Sequence, residues 1–158
     1  MKFADFIQSG AVRADLTSTD KPGVIRELVG ALADAGAIKP GDVEGIIAAI
    51  MKREELGSTG IGRGVAVPHT KHASVEKLMG TVGVSAEGVD FNSLDGEKVH
   101  LLFLLVSPHD RPGDHLRALE NISVQLKDDH FCRFLKQVQT SQEIQQLLDE
   151  ADTNQFSG

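Results

Sequence analysis

The run Val99-His100-Leu101-Leu102-Phe103-Leu104-Leu105-Val106 decides the fold. From Leu101 onward it is apolar at odd and even positions alike, so a strand made of it presents apolar side chains to both faces of a sheet, as a buried central strand does. A membrane-spanning helix needs roughly 20 apolar residues, far more than this stretch supplies. Upstream, Thr81-Val82-Gly83-Val84 reads as a second strand, and the turn-forming Gly88, Asn92 and Asp95-Gly96 separate the two.

Outward from these strands the apolar period becomes helical. Thr19-Asp20-Lys21-Pro22 offers a cap and an early-turn proline, after which Ile25, Leu28, Val29 and Leu32 share one face until Gly36. A second helix starts at Lys39-Pro40-Gly41-Asp42 and carries Val43, Ile46, Ile47, Ile50 and Met51 before Gly57 ends it. Beyond Gly113 the stripe Leu116, Leu119, Ile122, Ser123 and Leu126 predicts a long helix, continued by Phe131, Leu135 and Val138 after a kink or break near Asp128-Asp129. Thr140 with Glu143 is a capping-box signature for a last short helix through Ile144, Leu147 and Leu148. The opening residues read as a short polar lead-in. Helices before and after a small sheet make one α/β domain, residues 1–151, with a frayed tail from Asp152.

Composition narrows the function. A chain of 158 residues that is 41% hydrophobic can bury a real core. Its formal charge of −7 argues against nucleic acid, whose affinity rests on Lys and Arg displacing counterions. All aromatics are Phe, which leaves no Trp or Tyr platform for stacking bases or sugars. Neither a secretory leader nor a membrane insertion is expected, and the single Cys132 suits a reducing cytoplasm.

The chemistry concentrates in Gly57-Ser58-Thr59-Gly60-Ile61-Gly62-Arg63-Gly64-Val65-Ala66-Val67-Pro68-His69. The glycines permit unusual backbone angles and close approach, which suits an anion. Because they follow a helix and enter a strand, Val65-Ala66-Val67, the segment is neither a Walker loop nor a dinucleotide fingerprint. A histidine directly behind a proline at a strand end is held in a fixed direction, and neutral imidazole is a competent nucleophile near neutral pH. A phosphoryl adduct on His69 would want donors. The candidates are the Ser58 and Thr59 hydroxyls, backbone N–H groups such as that of Gly60, the guanidinium of Arg53 or Arg63, and a second imidazole.

The run Arg53 to His69, with its Gly62-x-Gly64-x-Ala66-x-Pro68-His69 core, resembles the active-site segment of enzyme IIA domains of the phosphoenolpyruvate-dependent sugar phosphotransferase system, of the fructose/mannitol and nitrogen-regulatory type. The likeness continues more weakly through the helices before the motif, Leu101 to Pro108, and His115-Leu116. The resemblance implies a small mixed β-sheet flanked by helices and a phosphotransferase activity in which His69 accepts a phosphoryl group from the carrier HPr. It then implies transfer to an enzyme IIB domain, or use as a regulatory mark. By the same resemblance His115 is the second, supporting histidine and Arg53 the site arginine, with no metal or organic cofactor. Thr70 departs from the glycine that often follows the acceptor, and Arg63 adds a charge inside the glycine segment. The Ser58 to Gly62 wording resembles the nitrogen-regulatory branch.

Two other readings compete. A regulatory binding module would use the phosphorylation state of His69 without onward transfer. A metal-dependent hydrolase would use His69 and His72 with His109 or His115 as zinc ligands.

Overall fold

A computed structural model describes residues 1–153. Asp20 caps α1 (Lys21–Asp34) by accepting the Gly23 N–H at 2.8 Å, and a single 3₁₀ turn, Pro40–Asp42, leads into α2 (Val43–Glu55). Five strands follow: β1 (Gly60–Gly62), β2 (Val65–Ala66), β3 (His69–Lys71), β4 (Met79–Val89) and β5 (Val99–Ser107). The chain then closes with α3 (Pro112–Leu126), α4 (Asp129–Lys136) and α5 (Ser141–Asp152). The break between α3 and α4 is a true restart, because the Asp128 carboxylate accepts the N–H groups of His130 and Phe131.

β5 lies at the centre, as its two-faced apolar sequence requires. β4 runs antiparallel along one side, while β2 and β3 lie end to end along the other, both parallel to β5. The sheet is therefore mixed. Leu101, Phe103 and Leu105 point into a cluster shared with α3, α4 and α5, whereas Leu102, Leu104 and Val106 point into one shared with α1 and α2. Successive side chains of a strand alternate between faces, so this one strand feeds both cores.

Five expectations change. The buried face of α3 is offset from the predicted stripe: Ala118, Ile122, Gln125 and Leu126 are buried, whereas Leu116 and Ser123 are exposed. The glycine segment, expected as a loop, contains β1, which pairs antiparallel with β2 around a turn whose residues Arg63 and Gly64 have φ of 59° and 76°. Positive φ at both central residues is what a two-residue hairpin turn demands, and Gly64 meets it without steric cost. His69, expected behind a strand end, opens β3; Pro68, which has no N–H to donate, only interrupts the line joining β2 to β3. The polar lead-in buries Phe3 and Phe6; Phe3 stacks on Phe103 and Phe131 and meets Phe6 at a tilt. The frayed tail was expected from Asp152, but Asp152 ends α5 and its carboxylate accepts the backbone N–H groups of Phe3 at 2.7 Å and Ala4 at 2.9 Å. Thr153 follows as the C-cap of that helix, and residues 154–158 lie outside the described residues.

Candidate functional site

Register places the site. His69 pairs with Leu105 and Lys71 with Ser107 across β3 and β5, and Val65, Val67 and Leu105 all belong to the cluster beneath α3. The odd-numbered residues of the β2–β3 line therefore face α3, and so do Leu105 and Ser107 of β5. His115 sits in the first turn of α3 and meets them from above.

The half-buried imidazole of His69 has its Nδ1 2.7 Å from the carbonyl oxygen of Val67, two residues back along its own chain. A carbonyl can only accept, so Nδ1 carries the proton and Nε2 is left with its lone pair. His115 lies against it, ring centroids 5.4 Å apart and planes tilted by 56°. Its own Nδ1 is 2.5 Å from the Ser107 hydroxyl oxygen. Burial, then the positive charge of His69 when protonated, then Lys71, hold the His115 pKa down to about 4, which keeps this ring neutral at physiological pH.

In front of His69 an open cleft of about 280 Å³ is lined by Arg53, Ser58, Thr59 and Val67 on one side and by Leu119, Ile122, Ser123 and Leu126 of α3 on the other. Arg53, near the end of α2, donates one N–H to the Gly57 carbonyl at 3.0 Å. That anchor orients the guanidinium and leaves its other donors for a ligand.

Not every candidate points at this cleft with a free donor. Arg63 sits at the hairpin tip, pairs with Asp129 at the start of α4 and lines a neighbouring cleft with Lys127 and Lys136. The Ser58 hydroxyl donates to the Phe91 carbonyl at 2.9 Å and accepts the Gly60 N–H at 3.0 Å. This uses the Gly60 donor too. A Cβ on Gly60 would stand 2.3 Å from the Ser93 hydroxyl oxygen, so this glycine serves the close packing of the 91–96 loop on β1. Thr59 gives both its N–H and its hydroxyl to Glu54, the hydroxyl at 2.5 Å.

Glu54, given no role in the sequence reading, is the organising residue of that loop. Its carboxylate is buried, binds Thr59, and forms an ion pair at 3.1 Å with the buried Lys21, whose ammonium also sits 4.9 Å above the Phe91 ring. Such a pair holds geometry more than it adds stability, since both ions have given up water. A carboxylate four residues before the Ser58-Thr59-Gly60 turn was the local signal. Val67 and Ser107 were missed as well. One acts through its backbone, and the other lies 8 residues from His115 in a different element.

Of the other histidines weighed as metal ligands, His72 is bonded to Ser74 at 2.6 Å. Among the described residues no group of three or more His, Cys, Asp or Glu is placed to hold a metal ion. No helix of the described residues is long and apolar enough to cross a membrane.

Residues 5–151 match the family model described as "Phosphoenolpyruvate-dependent sugar phosphotransferase system, EIIA 2". The chain belongs to that family. It is 32% identical over 148 residues to the nitrogen regulatory protein of Bradyrhizobium diazoefficiens, covering 94% of this chain and 95% of that relative. It is 34% identical over 152 residues to the fructose-specific EIIABC component of the phosphotransferase system of Bacillus subtilis, covering 96% of this chain but 24% of that larger protein. The crystal structure of nitrogen regulatory protein IIA-Ntr from Neisseria meningitidis superposes with a TM-score of 0.81 at 28% identity, covering 92% of this chain and 98% of that one.

Proposed function

We propose that this chain is a cytoplasmic phosphoryl carrier that accepts phosphate on Nε2 of His69 from an HPr-type phosphocarrier protein and passes it to an enzyme IIB-type partner or uses it as a regulatory signal. The observation that carries this reading is the 2.7 Å contact of His69 Nδ1 with the Val67 carbonyl, which leaves Nε2 bare in an open cleft beside Arg53 and a neutral His115.

The step balances without a proton transfer. The Nε2 lone pair attacks phosphorus, the N–P bond to the donor's imidazole breaks as the new one forms, and the donor imidazole leaves neutral with its electron pair. Nδ1–H stays on His69, and its bond to the Val67 carbonyl supports the positive charge that the ring acquires. The protein's contribution is position and electrostatics: Arg53 neutralises the phosphoryl oxygens, and His115 supports them without adding charge. Exposed apolar side chains, Leu56 after the Arg53 turn, Ile61 on the cleft wall and Leu116 beside His115, offer a partner protein contact area around the acceptor.

Incubation with phosphoenolpyruvate, enzyme I and HPr tests the proposal. Acid-labile phosphate on the wild type and none on His69→Ala is the expected result; equal labelling of both overturns it. The near full-length likeness to a nitrogen regulatory protein favours the regulatory end use, in which the added charge tunes contact with a target. A IIB-type acceptor that drains the label separates carrier from pure regulator.

A further inference from the structure

Ser107 is the last residue of β5, wholly buried, and turned toward α3 by the same alternation that points Phe103 and Leu105 there. Its hydroxyl oxygen lies 2.5 Å from Nδ1 of His115. Two proton arrangements fit that distance: the hydroxyl donates to a bare Nδ1, or Nδ1–H donates to the hydroxyl. The second leaves the serine's own proton without an acceptor, because the hydroxyl makes no other hydrogen bond among the described residues. A buried hydroxyl stripped of its acceptor costs roughly 1–3 kcal/mol, so the first arrangement wins.

We infer that Ser107 is a positioning residue for phosphoryl transfer: by donating to Nδ1 of His115 it fixes that ring's orientation and keeps its proton on Nε2, ready to donate to the phosphoryl group on His69. The two neighbouring imidazoles then hold opposite tautomers. His69 carries its proton on Nδ1 and offers a lone pair; His115 accepts at Nδ1 and offers a proton. With the reverse tautomer, a second lone pair would meet the phosphoryl oxygens and repel them. A charged His115 would also donate, but its burial beside His69 and Lys71 opposes that form. Only a neutral ring held in one tautomer donates here without a net charge, and Ser107 supplies the hold.

The role assigned to Ser107 rests on the proposed transfer at His69, while the tautomer itself does not. Nitrogen-15 NMR of the imidazoles in the unphosphorylated wild type therefore comes first. A pyridine-type Nδ1 and a protonated Nε2 on His115, with the opposite pattern on His69, are expected; a protonated Nδ1 on His115 overturns the inference. In Ser107→Ala the His115 signals should become those of a ring averaging between tautomers. The maximal rate of phosphoryl transfer from HPr should fall about 5- to 10-fold, with little change in the apparent KM, because Ser107 touches no partner. An unchanged tautomer and rate in Ser107→Ala overturns it equally. If HPr labels neither wild type nor variant, the carrier proposal falls, and the wild-type NMR pattern alone decides the tautomer.

Discussion

His69 and His115 face one another at 5.4 Å, each with its Nδ1 tied to a different acceptor or donor, the Val67 carbonyl for one and the Ser107 hydroxyl for the other. Both ties lie at the Nδ1 edge, so the two Nε2 atoms are what remains for chemistry.

Acid should weaken the fold through His115. Above pH 6.5 the ring is neutral in folded and unfolded chains alike. Below it the unfolded chain binds a proton that the folded one, with its pKa near 4, refuses. Stability therefore falls as pH drops from 6.5 to about 4 and this loss is then complete, amounting to at most about 3 kcal/mol. Urea titrations at pH 7 and pH 4 should show a smaller pH difference for His115→Gln than for wild type; equal differences would refute the assignment.

Arg53 should matter for transfer more than for stability. Arg53→Ala removes the cationic donor of the cleft, and a loss on the order of 100-fold in the labelling rate of His69 is expected, as for other deleted transition-state donors. Arg53→Lys keeps the charge but loses the fork that can hold Gly57 and a ligand together, so it should recover only part of the rate. Rapid-quench labelling measures both.

Glu54→Gln should destabilise strongly. It preserves shape and an acceptor for Thr59 but leaves the Lys21 ammonium buried without its counter-ion, at a cost of about 3–5 kcal/mol. Chemical denaturation reads this directly, and a change under 1 kcal/mol would show that Lys21 finds water instead.

Arg63→Ala, by contrast, should do little. Its ion pair with Asp129 is exposed, and pairs of that kind contribute no more than about 1 kcal/mol. The labelling rate of His69 should be unchanged; a tenfold loss would return Arg63 to the phosphoryl site.

Asp152→Ala should release the first turn of the chain. The carboxylate holds the N–H groups of Phe3 and Ala4, and Phe3 plugs the core against Phe103 and Phe131. A loss of roughly 1–3 kcal/mol in thermal or urea unfolding is expected for two charge-assisted hydrogen bonds.

What the sequence determined is what neighbours along the chain decide. The Asp20 cap, the Thr140 and Glu143 capping box, the helical faces of α1 and α2, and the central position of β5 depend on spacing within one element. The histidine proposed as acceptor is singled out by the Pro68-His69 pair behind the glycine segment. The donors around it were not. Whether Arg63, Ser58 or Thr59 faces a phosphoryl group depends on partners such as Asp129, 66 residues from Arg63, and Phe91, 33 residues from Ser58. Hydroxyls and guanidinium groups go where their hydrogen bonds are completed, and only folding brings those acceptors close. The same holds for Ser107 beneath His115 and for Asp152 beneath Phe3: chain order marks out the proposed nucleophile, and the packed tertiary structure decides which buried polar groups are free to serve it.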